Sequence, residues 1–260
     1  MANASIPPPE LAATRALRVM SYNVHGCVGS DFRLDPPRVA RVIAACEPDV
    51  VALQELDVER ARSGRVDQPR TLAEQLGMQL AFCSARECDG GRYGNAVLSR
   101  HPIEVMRAAC LPQRGQRREQ RAVQWVRVQA PGLLLNVVNT HLGLDHGERM
   151  QQAAAILGSE WVHEARALGP TVLCGDFNAG PRSAVYRKLT SELRDAQRLV
   201  PGRGPRGTFP SLLPLLRIDH VLVSPELHVR RCTVAASWRA KLASDHLPLF
   251  VDLSLERNGP

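Results

Sequence analysis

Short apolar runs, each stopped by a residue capable of chemistry, constrain this chain more than any other feature. Thr171-Val172-Leu173-Cys174 ends in Gly175-Asp176-Phe177-Asn178. The run from Leu17 to Tyr22 leads to Asn23, that from Asp49 to Gln54 leads to Glu55, and that from Leu133 to Thr140 leads to His141. Arg217-Ile218-Asp219-His220-Val221-Leu222-Val223 and Ser244-Asp245-His246-Leu247 repeat the pattern. Runs of this length read as buried strands of an α/β protein. In open α/β sheets, sites form beyond the carboxyl ends of strands, so residues placed there can converge. Each residue alone has an ordinary role: Asp and Asn after a strand are turn formers, and a histidine at a strand end is commonly structural. It is the set, in this order, that points to a site. Strand side chains alternate with period two, so Asp176 and Asn178 are expected on one face, where a base and an orienting amide would hold a water.

Between the runs lie helix signals. Asp35-Pro36-Pro37 reads as an N-cap with proline in the first turn, opening a helix through Val39, Val42 and Ile43 that stops before Pro48. A short helix is expected from Thr71 to Leu76, closed by Gly77. A longer one, roughly Gly147 to Ala167, carries Met150, Ala154, Leu157 and Trp161 at helical spacing as a packing stripe. Strands are expected over Arg18 to Asn23, Val50 to Gln54, Asn95 to Ser99, Val123 to Gln129, Leu133 to Thr140, Thr171 to Gly175, Ile218 to Val223 and Leu247 to Leu255. Ala130-Pro131-Gly132 reads as a hairpin turn. The expected organisation is one α/β domain over 17–257, preceded by a flexible, proline-containing lead-in over 1–16.

Composition narrows the partners. The net charge is +7, and lysine occurs only at Lys188 and Lys241, so the positive charge is nearly all arginine. That balance fits an anionic phosphate substrate, and the guanidinium fork matches phosphate oxygens. Arginine richness also follows genome composition, so the charge does not by itself assign nucleic acid. Aromatic residues make up only 4%, which leaves few base-stacking platforms. The seven cysteines are scattered without a CxxC pair, so neither a disulfide framework nor a zinc site is expected. The N-terminus lacks the basic and apolar regions of a signal peptide, and no apolar run reaches spanning length. A cytoplasmic monomer with reduced thiols is the expectation.

Ser21-Tyr22-Asn23-Val24-His25-Gly26, Gln54-Glu55, Tyr93-Gly94-Asn95-Ala96-Val97-Leu98-Ser99-Arg100, Asn139-Thr140-His141, Gly175-Asp176-Phe177-Asn178-Ala179, Arg217-Ile218-Asp219-His220 and Ser244-Asp245-His246-Leu247-Pro248 resemble motifs of the endonuclease/exonuclease/phosphatase superfamily, the deoxyribonuclease I-like fold. The resemblance spans almost the whole chain. It implies a four-layer α/β sandwich, two packed mixed sheets flanked by helices. It also implies Glu55 as principal ligand of Mg²⁺ or Mn²⁺, with Asn23 and Asp245 completing a set of hard oxygen donors. Asp176 would be the base that deprotonates water, and Asn178 would hold that water or a phosphoryl oxygen. Asp219 would orient His246, and His141 would donate from the other side. His25 stands where some relatives have Asp. Arg118-Glu119-Gln120 matches an Arg-Glu-Pro segment apart from its last residue, making Arg118 and Arg121 candidate phosphate contacts; the default reading of that arginine run is a solvated face. Asn95 lies on a motif bordering the cleft. Tyr93 reads equally as core, and His220 as packing.

The leading expectation is a metal-dependent phosphoesterase acting on a phosphodiester, with a lipid or small-molecule headgroup favoured. An endonuclease or exonuclease acting on DNA or RNA is the alternative. A catalytically inactive phosphate-binding module is the third reading, opposed by retention of Glu55, His141, Asp176, Asn178, Asp219 and His246.

Overall fold

The computed structural model describes residues 16–115, 118–202 and 204–255. The expected lead-in over 1–16 lies outside the described residues apart from Ala16, as do residues 256 and 257 of the expected domain and Gln116 and Arg117 of the arginine run.

Two six-stranded mixed sheets pack face to face. One contains β1 (Leu17–Asn23), β2 (Val50–Val58), β3 (Gln79–Cys88), β4 (Gly91–Ser99), β11 (Leu227–Val234) and β12 (Leu249–Leu255), in the order β11-β12-β1-β2-β4-β3. The other contains β5 (Ile103–Cys110), β6 (Ala122–Ala130), β7 (Leu133–His141), β8 (Thr171–Asp176), β9 (Arg194–Asp195) and β10 (Asp219–Val223), in the order β5-β6-β7-β8-β10-β9. Each sheet has one parallel pair at its middle, β1 with β2 and β7 with β8, inside otherwise antiparallel neighbours.

Helices α1 (Pro36–Ala44), α2 (Gln68–Leu76) and α7 (Trp238–Ala243) pack with the first sheet. Helices α3 (His146–Leu157), α4 (Val162–Leu168) and α5 (Ala184–Leu189) cover the second, and α6 (Ala196–Leu199) lies against β10 and β11. The four-layer sandwich expected from the motifs is what forms.

Period-two alternation explains the layers. Trp125, Val138, Leu173 and Leu222 point outward and pack with Ile156, Val162 and Val185 from the covering helices. Their chain neighbours Val126, Val137, Val172 and Val221 point inward and join the central core with Val19. Along the inward faces the chemistry changes from apolar to polar at one end. Val19, Ser21 and Asn23 follow one another on β1, Val137, Asn139 and His141 on β7, and Val172, Cys174 and Asp176 on β8. The apolar end closes the sandwich, and the polar end opens the site.

Local signals behave as the residues dictate. Asp35 caps α1 by accepting the Arg38 N–H at 2.8 Å, and Gly77 ends α2 with φ of 62°. The single helix expected over Gly147 to Ala167 is instead α3 and α4, separated at Gly158–Trp161. Gly158 and Ser159 are poor helix interiors, and the Gly158 N–H turns back on the Ala155 carbonyl at 3.0 Å. Trp161 still packs in the outer core. Strands β3, β5 and β11 were not expected from the sequence. β3 and β11 each have one largely solvated face, and β5 is half-buried or exposed along its whole length, so their apolar signals are diluted.

Candidate active site

Glu55 reaches the rim because β2 is irregular there. The β2–β4 register shifts between Leu53 and Leu56, and Glu55 takes a φ of 61°, so the side chain leaves the regular alternation. Asn139, from the opposite sheet, supports this irregularity. Its Nδ2 donates to the carbonyls of Leu53 and Ala96, each at 3.0 Å, and its Oδ1 accepts from Gln54 Nε2 at 2.8 Å. The Glu55 side chain is 23% exposed, which suits a carboxylate meant to meet something from solvent.

Asp176 ends β8. The preceding Gly175 has φ of 140°, and a Cβ there would fall 1.8 Å from the Thr140 carbonyl oxygen, so only glycine permits the approach of β7. Asn178 does converge with Asp176, but not as a strand neighbour. The strand stops at Asp176, and Asn178 is left-handed, with φ of 47°. Asp176 Oδ1 accepts the Asn178 N–H at 2.9 Å, and the turn directs Asn178 Nδ2 toward the Leu142 carbonyl (2.9 Å) and His141 Nε2 (3.1 Å). The expected shared face is thus replaced by a turn with the same outcome.

Two imidazoles flank Asp176 in opposite charge states. His246 Nδ1 lies 2.8 Å from Asp219 Oδ2, and its Nε2 lies 3.6 Å from Asp176 Oδ2. Burial acts to lower the His246 pKa, but the charge and hydrogen bond of Asp219, with further help from Asp176 and Asp245, raise it to about 10. His246 is therefore a cation near neutrality. His141 is held well below the ordinary histidine value, first by burial and then by the charges of Arg121 and His246. Arg121 Nη1 lies 2.9 Å from His141 Nδ1. The guanidinium at Nδ1 and the Asn178 amide nitrogen at Nε2 (3.1 Å) are both donors, which suits a neutral ring, and the ring nitrogen with the Asp176 carboxylate beside it is Nε2. That atom faces Asp176 Oδ2 at 3.4 Å. Burial first and the Asp219 charge second raise the Asp176 pKa, while His246, the Asn178 N–H and Asn23 act against the rise.

The expected metal set is only partly assembled. Asn23 Nδ2 donates to Glu55 Oε1 at 2.9 Å and to Asp176 Oδ2 at 3.0 Å, while its Oδ1 accepts the His25 N–H at 3.0 Å. The carboxamide atom turned toward the acids is therefore nitrogen, where a carbonyl oxygen was expected. Asp245 Oδ1 faces His25 Nδ1 at 3.7 Å. Among the described residues, the ligand-type clusters are Glu55 with His141 and Asp176, and Asp176 with Asp219 and His246. Asp245 belongs to neither.

Arg121 is buried, bound to His141 and, at 2.6 Å, to Glu119. Arg118 pairs with Asp145 (3.2 Å) and Glu148 (3.6 Å) at the start of α3. Asn95 is buried and donates across the sandwich to the Ala122 carbonyl at 3.1 Å. Tyr93 is core, ringed by the guanidinium groups of Arg60, Arg62 and Arg86. His220 packs, as expected, stacked on Phe177 with Nε2 on the Ala179 carbonyl at 2.8 Å.

Residues given no role from sequence complete the shell. Thr208 donates its hydroxyl to Asp219 Oδ2, and the Phe209 ring sits 4.8 Å from that of His246. Ser244 Oγ donates to the Asn23 carbonyl at 2.8 Å. The sequence does single out the Thr208-Phe209-Pro210-Ser211 segment ahead of Asp219, but it gives Thr208 and Phe209 no role there.

The fold and this cluster define a class: a two-sheet α/β sandwich with carboxylates, carboxamides and imidazoles gathered where its central strands end. The chain belongs to the Endonuclease/Exonuclease/phosphatase family, which it matches over residues 20–246, a family of hydrolases acting on phosphoester bonds. It is 29% identical to the uncharacterized protein YbhP of Escherichia coli (strain K12), over 95% of this chain and 100% of that protein. It resembles the crystal structure of an endonuclease/exonuclease/phosphatase from Beutenbergia cavernae DSM 12333, with a TM-score of 0.75 and 27% identity over 93% of this chain and 72% of that one. A mannosyl-6-phosphatase of Bacteroides thetaiotaomicron VPI-5482 shares the fold, with a TM-score of 0.73 and 22% identity over 92% of this chain and 100% of that one.

Proposed function

We propose that the chain is a metal-dependent phosphoesterase that hydrolyses a phosphodiester by attack of an activated water, with a lipid or small-molecule headgroup as the favoured substrate. The observation that carries this reading is one buried carboxylate, Asp176, held between two imidazoles, with His141 Nε2 at 3.4 Å, His246 Nε2 at 3.6 Å and Asp219 on the far nitrogen of His246. Such an arrangement separates the proton acceptor from the proton donor.

Asp176, with its raised pKa, is the proton acceptor for the attacking water, and Asn178 and Asn23 fix its carboxylate. His246, kept cationic by Asp219, presents Nε2–H to the developing negative charge on a phosphoryl oxygen. His141 stands as a neutral imidazole on the other side, with Nδ1 on Arg121 and Nε2 turned to Asp176 and Asn178. Arg121 acts through His141 in this reading, and Arg118 is left as an outer contact of α3. Glu55 is a partly exposed hard oxygen donor on the site face and fits Mg²⁺ or Mn²⁺. Asp245 stands on the His25 side, and Asn23 as placed offers nitrogen. A divalent ion held at Glu55 would supply charge neutralisation for the phosphoryl oxygens.

The test is turnover of bis(p-nitrophenyl) phosphate against p-nitrophenyl phosphate, with Mg²⁺, Mn²⁺ or excess chelator, followed by phospholipid, DNA, RNA and sugar-phosphate panels. Chelator-sensitive hydrolysis of the diester is expected, and Glu55→Gln should abolish its metal dependence. Full activity in chelator with metal absent would sink the proposal. A preference for the monoester would move the substrate class toward that of the Bacteroides sugar phosphatase. Cleavage of DNA or RNA alone would restore the nuclease reading.

A further inference from the structure

The loop over 208–216 is both a wall of the site and an exposed apolar surface. At its base, Thr208 bonds Asp219 and Phe209 packs on His246. Past this point Leu212, Leu213, Leu215 and Leu216 are 53%, 61%, 73% and 52% exposed. Single exposed leucines are ordinary on a protein surface. Four within five positions, on one short loop beside a site, are not.

The loop is built rather than frayed. Phe209 and Leu216 pair across its base, and the Ser211 N–H donates to the Asp245 carbonyl at 2.6 Å. Ser211 Oγ donates to the Lys241 carbonyl at 2.9 Å and lies 3.2 Å from Ser30 Oγ. These bonds join it to two further segments that also expose large apolar side chains: Phe32, 91% exposed, and Trp238 on α7, 68% exposed.

The charge on the loop and on α7 is one-sided. Residues 204–216 and 235–243 hold Arg206, Arg239 and Lys241 and not one carboxylate. On the Phe32 segment, Asp31 is engaged by Arg38 at 2.7 and 2.9 Å, and Arg33 is exposed. Leucine has no group that reads a nucleic-acid base, whereas apolar tips among basic residues match a surface of buried acyl chains beneath anionic headgroups.

We infer that the 208–216 loop, with Phe32 and Trp238 on the segments tied to it, docks the protein on an anionic phospholipid bilayer. This rests on the phosphodiesterase reading above and deepens it: a surface resting on the leucines sets its headgroups at the wall formed by Thr208, Phe209 and His246. The substrate class is then a phospholipid headgroup diester taken from the membrane interface.

The test is co-sedimentation with vesicles of phosphatidylcholine alone or of equimolar phosphatidylcholine and phosphatidylglycerol, alongside turnover of soluble bis(p-nitrophenyl) phosphate. The wild type is expected to pellet with the anionic vesicles and far less with the neutral ones. A Leu212→Ser/Leu213→Ser/Leu215→Ser variant should partition less by on the order of tenfold or more, while its soluble turnover is unchanged and reports an intact fold. Arg239→Glu/Lys241→Glu should lose the preference for phosphatidylglycerol. Wild type that stays in the supernatant while hydrolysing the soluble diester would overturn the docking surface and leave the hydrolase standing. Equal vesicle binding by the leucine variant, or a solution dimer that this variant dissociates, would also overturn it. Vesicle binding lost in the leucine variant, with no diester turnover by either protein, would uphold the surface and count against the hydrolase.

Discussion

Asn139 is the residue whose loss should separate architecture from chemistry. Its amide crosses the sandwich, with two donor bonds to the Leu53 and Ala96 carbonyls and one acceptor bond from Gln54. A buried hydrogen bond contributes about 1 kcal/mol net, so Asn139→Ala should cost about 3 kcal/mol of stability. Gln54 is left with weaker bonds to the Ala52 carbonyl at 3.2 Å and Ser21 Oγ at 3.4 Å, and its Oε1 already lacks a partner. Urea unfolding should show a lower midpoint with an unchanged slope, because the surface exposed on unfolding is the same. The second effect is on Glu55, since the Leu53 carbonyl anchors the irregular stretch of β2 that aims it. Mn²⁺ affinity measured by calorimetry should weaken in the variant, even under conditions where it is fully folded. Asn139→Asp should be worse than alanine, because it turns a carboxylate oxygen toward two carbonyls. A stability loss below about 1 kcal/mol, with metal affinity intact, would refute the view that Asn139 holds the two sheets in register at the site.

Acid should destabilise the fold through His220, whose pKa is lowered from 6.5 to about 4, mainly by burial and then by the Arg217 charge. With the folded value depressed, the stabilisation is complete above pH 6.5 and is lost as pH falls toward 4, by about 3 kcal/mol at most. His220→Phe should flatten that part of the stability–pH curve, and an unchanged slope in urea unfolding would exclude His220 as its source. Arg121→Ala should lower kcat on the order of tenfold or more with a smaller change in KM, because the side chain acts on His141. A raised KM at constant kcat, with a flatter salt dependence, would instead make Arg121 the direct phosphate contact that its sequence position suggested.

The parts legible in sequence were those encoded locally. The central strands announce themselves because both faces are buried, so β1, β2, β7, β8 and β10 read as apolar runs with polar ends. Asp35 and Gly77 mark their helix ends through single-residue cap chemistry. The half-solvated strands β3, β5 and β11 carry no such run. For the site, residue types and positions predicted which side chains gather at one rim, and Glu55, His141, Asp176, Asn178, Asp219 and His246 do meet there. Atom-level detail was not legible. Nothing local shows that Asn23 turns its nitrogen to the acids, or that Arg121 lies under His141 while Arg118 pairs on α3. Those facts depend on partners from 20 to 153 positions away.

Asn23 and Glu55 come from one sheet, whereas His141, Asp176 and Asp219 come from the other. The seam between the sheets therefore runs through the candidate site. Sliding one layer over the other would change the spacing between Glu55 and Asp176 without altering either strand. Val19, Val137 and Val172, four residues back from Asn23, His141 and Asp176 along β1, β7 and β8, pack in the core between the sheets. A methyl group added or removed there should retune catalysis from a distance, and laboratory evolution of this scaffold would find productive changes in what looks like inert core.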